Sequence, residues 1–104
     1  MNSNIVLVIR NSSIKGQEVQ SLRKQLNGVA ATRSTVVLQM AGVETVDAEG
    51  AGAILEAARK LRGNGGVLRL AGLQKTVAAF FEMLQVNRAV EIYASQNDAT
   101  RVAA

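Results

Sequence analysis

The chain has 104 residues, 48% of them apolar, with Phe80, Phe81 and Tyr93 as its aromatics, a length that fits one small domain with an aliphatic core. It contains neither Cys nor His, which excludes disulfides, thiolate metal sites and Ser-His or Cys-His catalysis. The formal charge is +4, but among the basic residues only Arg59, Lys60 and Arg62 cluster, so the dense basic stripe of a nucleic-acid binder is missing.

Taken in chain order, the first element is the apolar run Ile5 to Ile9, bounded by Asn4 and by Asn11-Ser12-Ser13. It is short and β-branched and reads as a buried strand. It is too short for a signal-peptide core of roughly 7–15 residues or a membrane span of about 20, so a cytoplasmic location is expected. From about Gln17 to Ala31, Val19, Leu22, Leu26 and Val29 recur with helical period, with Gln20, Arg23, Lys24 and Asn27 on the opposite face. Thr35 to Met40 (TVVLQM) is a second strand, and Ala41-Gly42 leads to a brief extended stretch. Ala51 to Arg62 reads as a helix that turns Ile54, Leu55, Ala58 and Leu61 inward and pairs Glu56 with Lys60 on its wet side. Gly63-Asn64-Gly65-Gly66 stops it as a helix C-cap and turn. Val67 to Ala71 (VLRLA) is a third strand, and Lys75 to Leu84 a helix burying Val77, Phe80, Phe81 and Leu84. Val90 to Tyr93 is a fourth strand, and Ser95 caps a last helix from about Gln96 to Val102. Strand and helix alternate throughout, without proline, repeat or linker. This predicts a single α/β domain over residues 1–104, with a mostly parallel sheet of four or five strands.

The stretch Thr45-Val46-Asp47-Ala48-Glu49-Gly50-Ala51-Gly52 concentrates the chemistry. Asp47 sits where a carboxylate caps the first turn of a helix, and Glu49 inside that turn, where the helix dipole favours an acid. Gly50 and Gly52 let the helix start pack closely on the sheet. A phosphate cradle fits poorly. GxxxxGK[ST] is absent, position 55 is Leu55 where GxGxxG needs glycine, and two acids precede the glycines. A phosphate-receiving Asp47 would need acids after the first strand to hold Mg²⁺, and Ile9-Arg10-Asn11-Ser12 has none. A carboxylate enzyme built on Asp47 and Glu49 is disfavoured, because adjacent residues at a helix start diverge.

The order of elements, with Val36-Val37-Leu38-Gln39-Met40-Ala41-Gly42-Val43 and then Val46-Asp47-Ala48-Glu49-Gly50-Ala51-Gly52, resembles the STAS domain, and within it the bacterial anti-sigma factor antagonists. The likeness runs from Ile5 to Ala99 and takes in Gly65-Gly66-Val67-Leu68-Arg69-Leu70 and Val90-Glu91-Ile92-Tyr93-Ala94-Ser95. It implies a protein-binding module rather than an enzyme, with no catalytic residue, metal or cofactor. In that family the serine after the aspartate is phosphorylated by the partner, a serine-kinase-type anti-sigma factor. Adding about −1.5 to −2 charges at a helix start resets the interface.

This chain departs from the pattern at that point. Ala48 occupies the phosphoserine position and has no hydroxyl, and Glu49 follows. Phosphorylation at the usual place is therefore excluded, and either Ala48 leaves the protein permanently competent to bind or Glu49 suits a different partner. Lys15, in Ser12-Ser13-Ile14-Lys15, stands where the family often carries an acid, and the family's usual extra first strand has only Met1 to Asn4 to form it. Ser12 and Thr45 read as surface hydroxyls. The expected interface comprises Asp47, Ala48, Glu49, Gly50, Glu56, Arg59 and Lys60, the last three otherwise being an ordinary solvated helix face. The partner is a kinase-type anti-sigma factor or another regulator, without nucleic acid or membrane insertion. The alternative is an accessory subunit on the cytoplasmic side of an ABC-type transporter. A homodimer is left open, as is pairing at a free sheet edge.

Overall fold

A computed structural model describes residues 4–101. It contains β1 (Asn4–Val8), β2 (Ser13–Ile14), α1 (Gln17–Ala30), β3 (Thr35–Gln39), β4 (Thr45–Val46), α2 (Ala48–Gly63), β5 (Val67–Ala71), α3 (Lys75–Met83), a 3₁₀ turn (Val86–Arg88), β6 (Glu91–Tyr93) and α4 (Gln96–Arg101). The main sheet has four strands in the order β1-β3-β5-β6, and β2 and β4 form a separate two-stranded ribbon. Every pairing is parallel. The strand order runs one way across the main sheet, as expected for alternating strands and helices.

Strand alternation divides the core into two layers. On one face Val36, Leu38, Leu68 and Leu70 pack with Val19, Leu22 and Leu26 of α1, Ile54 and Leu61 of α2, and Val77 and Phe81 of α3. On the other face a small cluster of Val37, Ala71 and Ala99 sits under α4, with Val6 and Tyr93 beside it. Burying the central strands on both faces accounts for their continuous apolar runs.

Several expectations shift. The helix expected from Ala51 begins at Ala48, because Asp47 caps it there and Gly50 and Gly52 become helical. Met40 is buried just beyond β3. Leu84, expected in the core, is 39% exposed. It is the C-cap of α3, and Gln85 then turns into left-handed backbone (φ 61°), so that Val86 enters the core in its place. Glu56 does not pair with Lys60. It forms an ion pair with Arg23 of α1, and Lys60 bonds Asn27 at 3.3 Å. These positions lie on the side of α2 that faces α1, and the neighbouring helix supplies nearer partners.

The glycine-rich stop behaves as expected. Asn64 is the C-cap of α2, Gly65 adopts φ +87°, and Gly66 donates to the Leu61 carbonyl at 2.8 Å, closing the turn. Asn64 also donates to the Ala30 carbonyl at the end of α1. At α4, the Ser95 hydroxyl accepts from the Asp98 amide, as a capping serine does. Val102, the expected end of that helix, and Met1 to Ser3 lie outside the described residues.

Candidate functional site

The β2–β4 ribbon brings two loops together. Ser13 lies beside Thr45 and Ile14 beside Val46. Glu44 donates to the Ser12 carbonyl at 2.7 Å, and Asp47 extends the ladder by donating to the Ile14 carbonyl. Neither two-residue strand has enough periodicity to be read from sequence. Their signal is the apolar pair Ile14 and Val46, of which Ile14 is fully buried.

The ribbon sets the start of α2. Asp47 keeps extended backbone (φ −90°, ψ 176°), and its carboxylate accepts from the Gly50 amide at 2.7 Å. That is an N-cap bond, satisfying a donor the helix leaves open. Gly50 is pressed onto the ribbon: a Cβ there would lie 2.9 Å from the Ile14 carbonyl oxygen and from side-chain carbons of Ile14 and Val46. Gly52, expected to pack as Gly50 does, has open space where its Cβ would be. Two residues on, about 200° around the helix, the Cβ direction points away from the ribbon.

The cap leaves Ala48 and Glu49 exposed on the first turn. With 3.6 residues per turn, the expected interface separates into two stripes. Ala48, Gly52, Leu55 and Arg59 line one, exposed at its ends and half-buried between. Glu49, Glu56 and Lys60 follow the other, and the last two are engaged with α1. The start of α1 lies close by, where Glu18 accepts from the Ser13 hydroxyl and Lys15 is exposed. Thr76 at the start of α3 donates to the Glu44 carbonyl, so three helix starts gather at one end of the molecule. Among the described residues no group of three or more acidic, His or Cys residues is placed to hold a metal ion.

A second polar constellation escaped the sequence reading. Arg69, in the middle of β5 and only 5% exposed, donates from Nε to Glu91 at 2.8 Å and from Nη1 to the Ala99 carbonyl at 3.0 Å. Its guanidinium lies 5.8 Å from the Tyr93 ring centroid, and the Tyr93 hydroxyl donates to the same Glu91 oxygen. The Arg69 hydrogen bond, then that of Tyr93, holds the Glu91 carboxyl below the usual range. Burial first, and the Glu91 bond second, push the Tyr93 hydroxyl up. The signal was a charge inside the apolar run VLRLA, which asks for a partner across the sheet.

The architecture is a parallel four-stranded α/β domain with a capped, glycine-tight helix start that leaves Ala48 and Glu49 exposed. The STAS domain family model matches residues 2–99, and the chain belongs to that family. Among solved structures it is similar to an anti-sigma-factor antagonist (STAS) domain protein from Planctomyces limnophilus, at 13% identity and TM-score 0.78, covering 90% of this chain and 85% of that one. The anti-sigma factor antagonist SpoIIAA of Bacillus, in its unphosphorylated form, is similar at 17% identity and TM-score 0.78, covering 96% and 87%. The murine anion transporter Slc26a9 is similar at 16% identity and TM-score 0.79 over 96% of this chain, which spans 17% of the transporter chain. Comparison with curated proteins gives no significant match.

Proposed function

We propose that the chain is a non-enzymatic regulator of transcription in a bacterial cytoplasm, which captures a serine-kinase-type anti-sigma factor through the start and outer stripe of α2. One observation carries the reading: Ala48 is exposed at the first helical position, directly after the capping Asp47. The resemblance to anti-sigma factor antagonists implies a phosphorylated serine at that position, and on this reading the chain holds the partner without being switched off there. Asp47 and Gly50 shape the loop, while Ala48, Glu49 and Arg59 meet the partner. Glu56 and Lys60 brace α2 against α1.

The test is co-purification of the tagged chain with kinase-type anti-sigma factors in the presence of ATP, followed by mass spectrometry. A stable complex should form, with no phosphate on the segment around Ala48, and Ala48→Trp should abolish it. Failure to form any such complex, or a complex indifferent to Ala48→Trp, sinks the assignment. The second reading is an accessory subunit of a membrane transporter, favoured by the occurrence of this fold within an anion transporter chain. Recovery with an ABC-type ATPase in place of a soluble kinase would select it.

A further inference from the structure

We propose that β1 is a self-association edge: two copies of the chain join antiparallel through β1, about a two-fold axis at Leu7, into one continuous sheet. The two edges of the main sheet are unlike. At the far edge, β6 is three residues long and carries the charge of Glu91, the usual devices against edge-to-edge pairing. At the near edge, β1 is five residues long, Asn-Ile-Val-Leu-Val, with no charge, proline or glycine. Val8 is 51% exposed, and Ile5, Val6 and Leu7 are half-buried. Ile9 donates to the Gln39 carbonyl at 3.0 Å. Strand alternation therefore turns the amides and carbonyls of Asn4, Val6 and Val8 away from β3. Among the described residues no strand pairs with them.

The residues along this edge select a second copy as the occupant. With the axis at Leu7, each Val6 lies opposite Val8 of the second copy, Leu7 opposite Leu7, Ile5 opposite Ile9 and Asn4 opposite Arg10. Apolar groups meet apolar groups, the exposed Val8 gains a β-branched cross-strand neighbour, and no like charges are juxtaposed. The outward amides and carbonyls of Val6 and Val8 then bond one another reciprocally. Moving the axis to Val6 would instead set Val8 against Asn4. A five-residue edge buries less than the roughly 800 Å² per partner of a standard interface. The dimer is accordingly weak and forms with rising concentration. It is independent of which protein binds the start of α2.

Light scattering after size exclusion, over an about 100-fold range of concentration, should show the mass rising from 11.0 kDa towards twice that value. Val8→Lys, which charges the exposed edge, should remain monomeric with an unchanged far-UV circular dichroism spectrum. The chain has no cysteine, so one introduced thiol reports the register. Leu7→Cys, at an axial non-hydrogen-bonded pair with Cα atoms about 4.5 Å apart, is within disulfide reach. It should cross-link on mild oxidation, whereas Val8→Cys should not. A wild-type chain that stays monomeric throughout overturns the proposal, and so does a dimer that cross-links no better through Leu7→Cys than through Val8→Cys. If Val8→Lys misfolds, the two cysteine variants decide alone.

Discussion

The first turn of α2 shows how much one atom decides. Gly50 and Gly52 are two residues apart and both helical, yet a Cβ at Gly50 meets the Ile14 carbonyl at 2.9 Å while one at Gly52 meets nothing. Gly50→Ala should therefore destabilise the fold by about 1–3 kcal/mol through overpacking. Gly52→Ala should stabilise it by about 0.5–1 kcal/mol, because the unfolded chain loses freedom without new contacts in the folded one. Urea unfolding of the pair against the parent chain measures both signs. Asp47 acts at the same scale: its bond to the Gly50 amide is the cap, and Asp47→Ala should cost about 1 kcal/mol in the same assay. The acid and the following glycines were legible in sequence as a helix start. Which glycine is obligatory was not, because that depends on the distance to Ile14 and Val46 across the ribbon.

At the scale of elements, α4 is held by little apolar burial. Ala99 is its one buried residue among those described, and Arg69 reaches from β5 to the Ala99 carbonyl near the helix C-terminus, where a cation is favoured. Glu91 and Tyr93 of β6 keep that guanidinium in place. Because Arg69 lowers the Glu91 carboxyl in the folded state, the folded chain takes up that proton less readily than the unfolded one. The resulting stability is fully present above the unfolded glutamate pKa and is lost as pH falls through the lowered folded value. Glu91→Gln should reduce stability at neutral pH by about 0.5–1 kcal/mol, a half-exposed carboxylate being screened by solvent. The difference from wild type should shrink on acidification, as thermal melts across that range would record. The strands of the main sheet and α1 to α3 were visible in the apolar patterning, and α4 only through its capping Ser95. The two-residue strands β2 and β4 were not, since they gain order only from each other. The Glu56–Lys60 spacing misled because a helix-local rule was applied to a surface that faces another helix.

For the molecule as a whole, the proposed partner surface lies apart from the packed core, and Ala48→Trp tests the separation. Ala48 is exposed and outside both core clusters, so the substitution should leave the thermal midpoint within the shift expected of about 0.5 kcal/mol, while removing capture of the partner. A midpoint that falls as far as that of Gly50→Ala would show that position 48 belongs to the packing instead. The sequence by itself determined the α/β class, the order of the long elements, the exclusion of histidine and thiol chemistry, the likeness to the STAS family and the absence of a hydroxyl at position 48. These follow from residue identity and from periodicities contained in each segment. Only the tertiary structure decided that Gly50 is locked while Gly52 is free, that Glu56 and Lys60 serve the contact with α1, that Arg69 fastens α4, and that β1 is the end strand of the sheet among the described residues. Each of these rests on a distance between segments far apart in the chain, and local pattern carries no information about such distances.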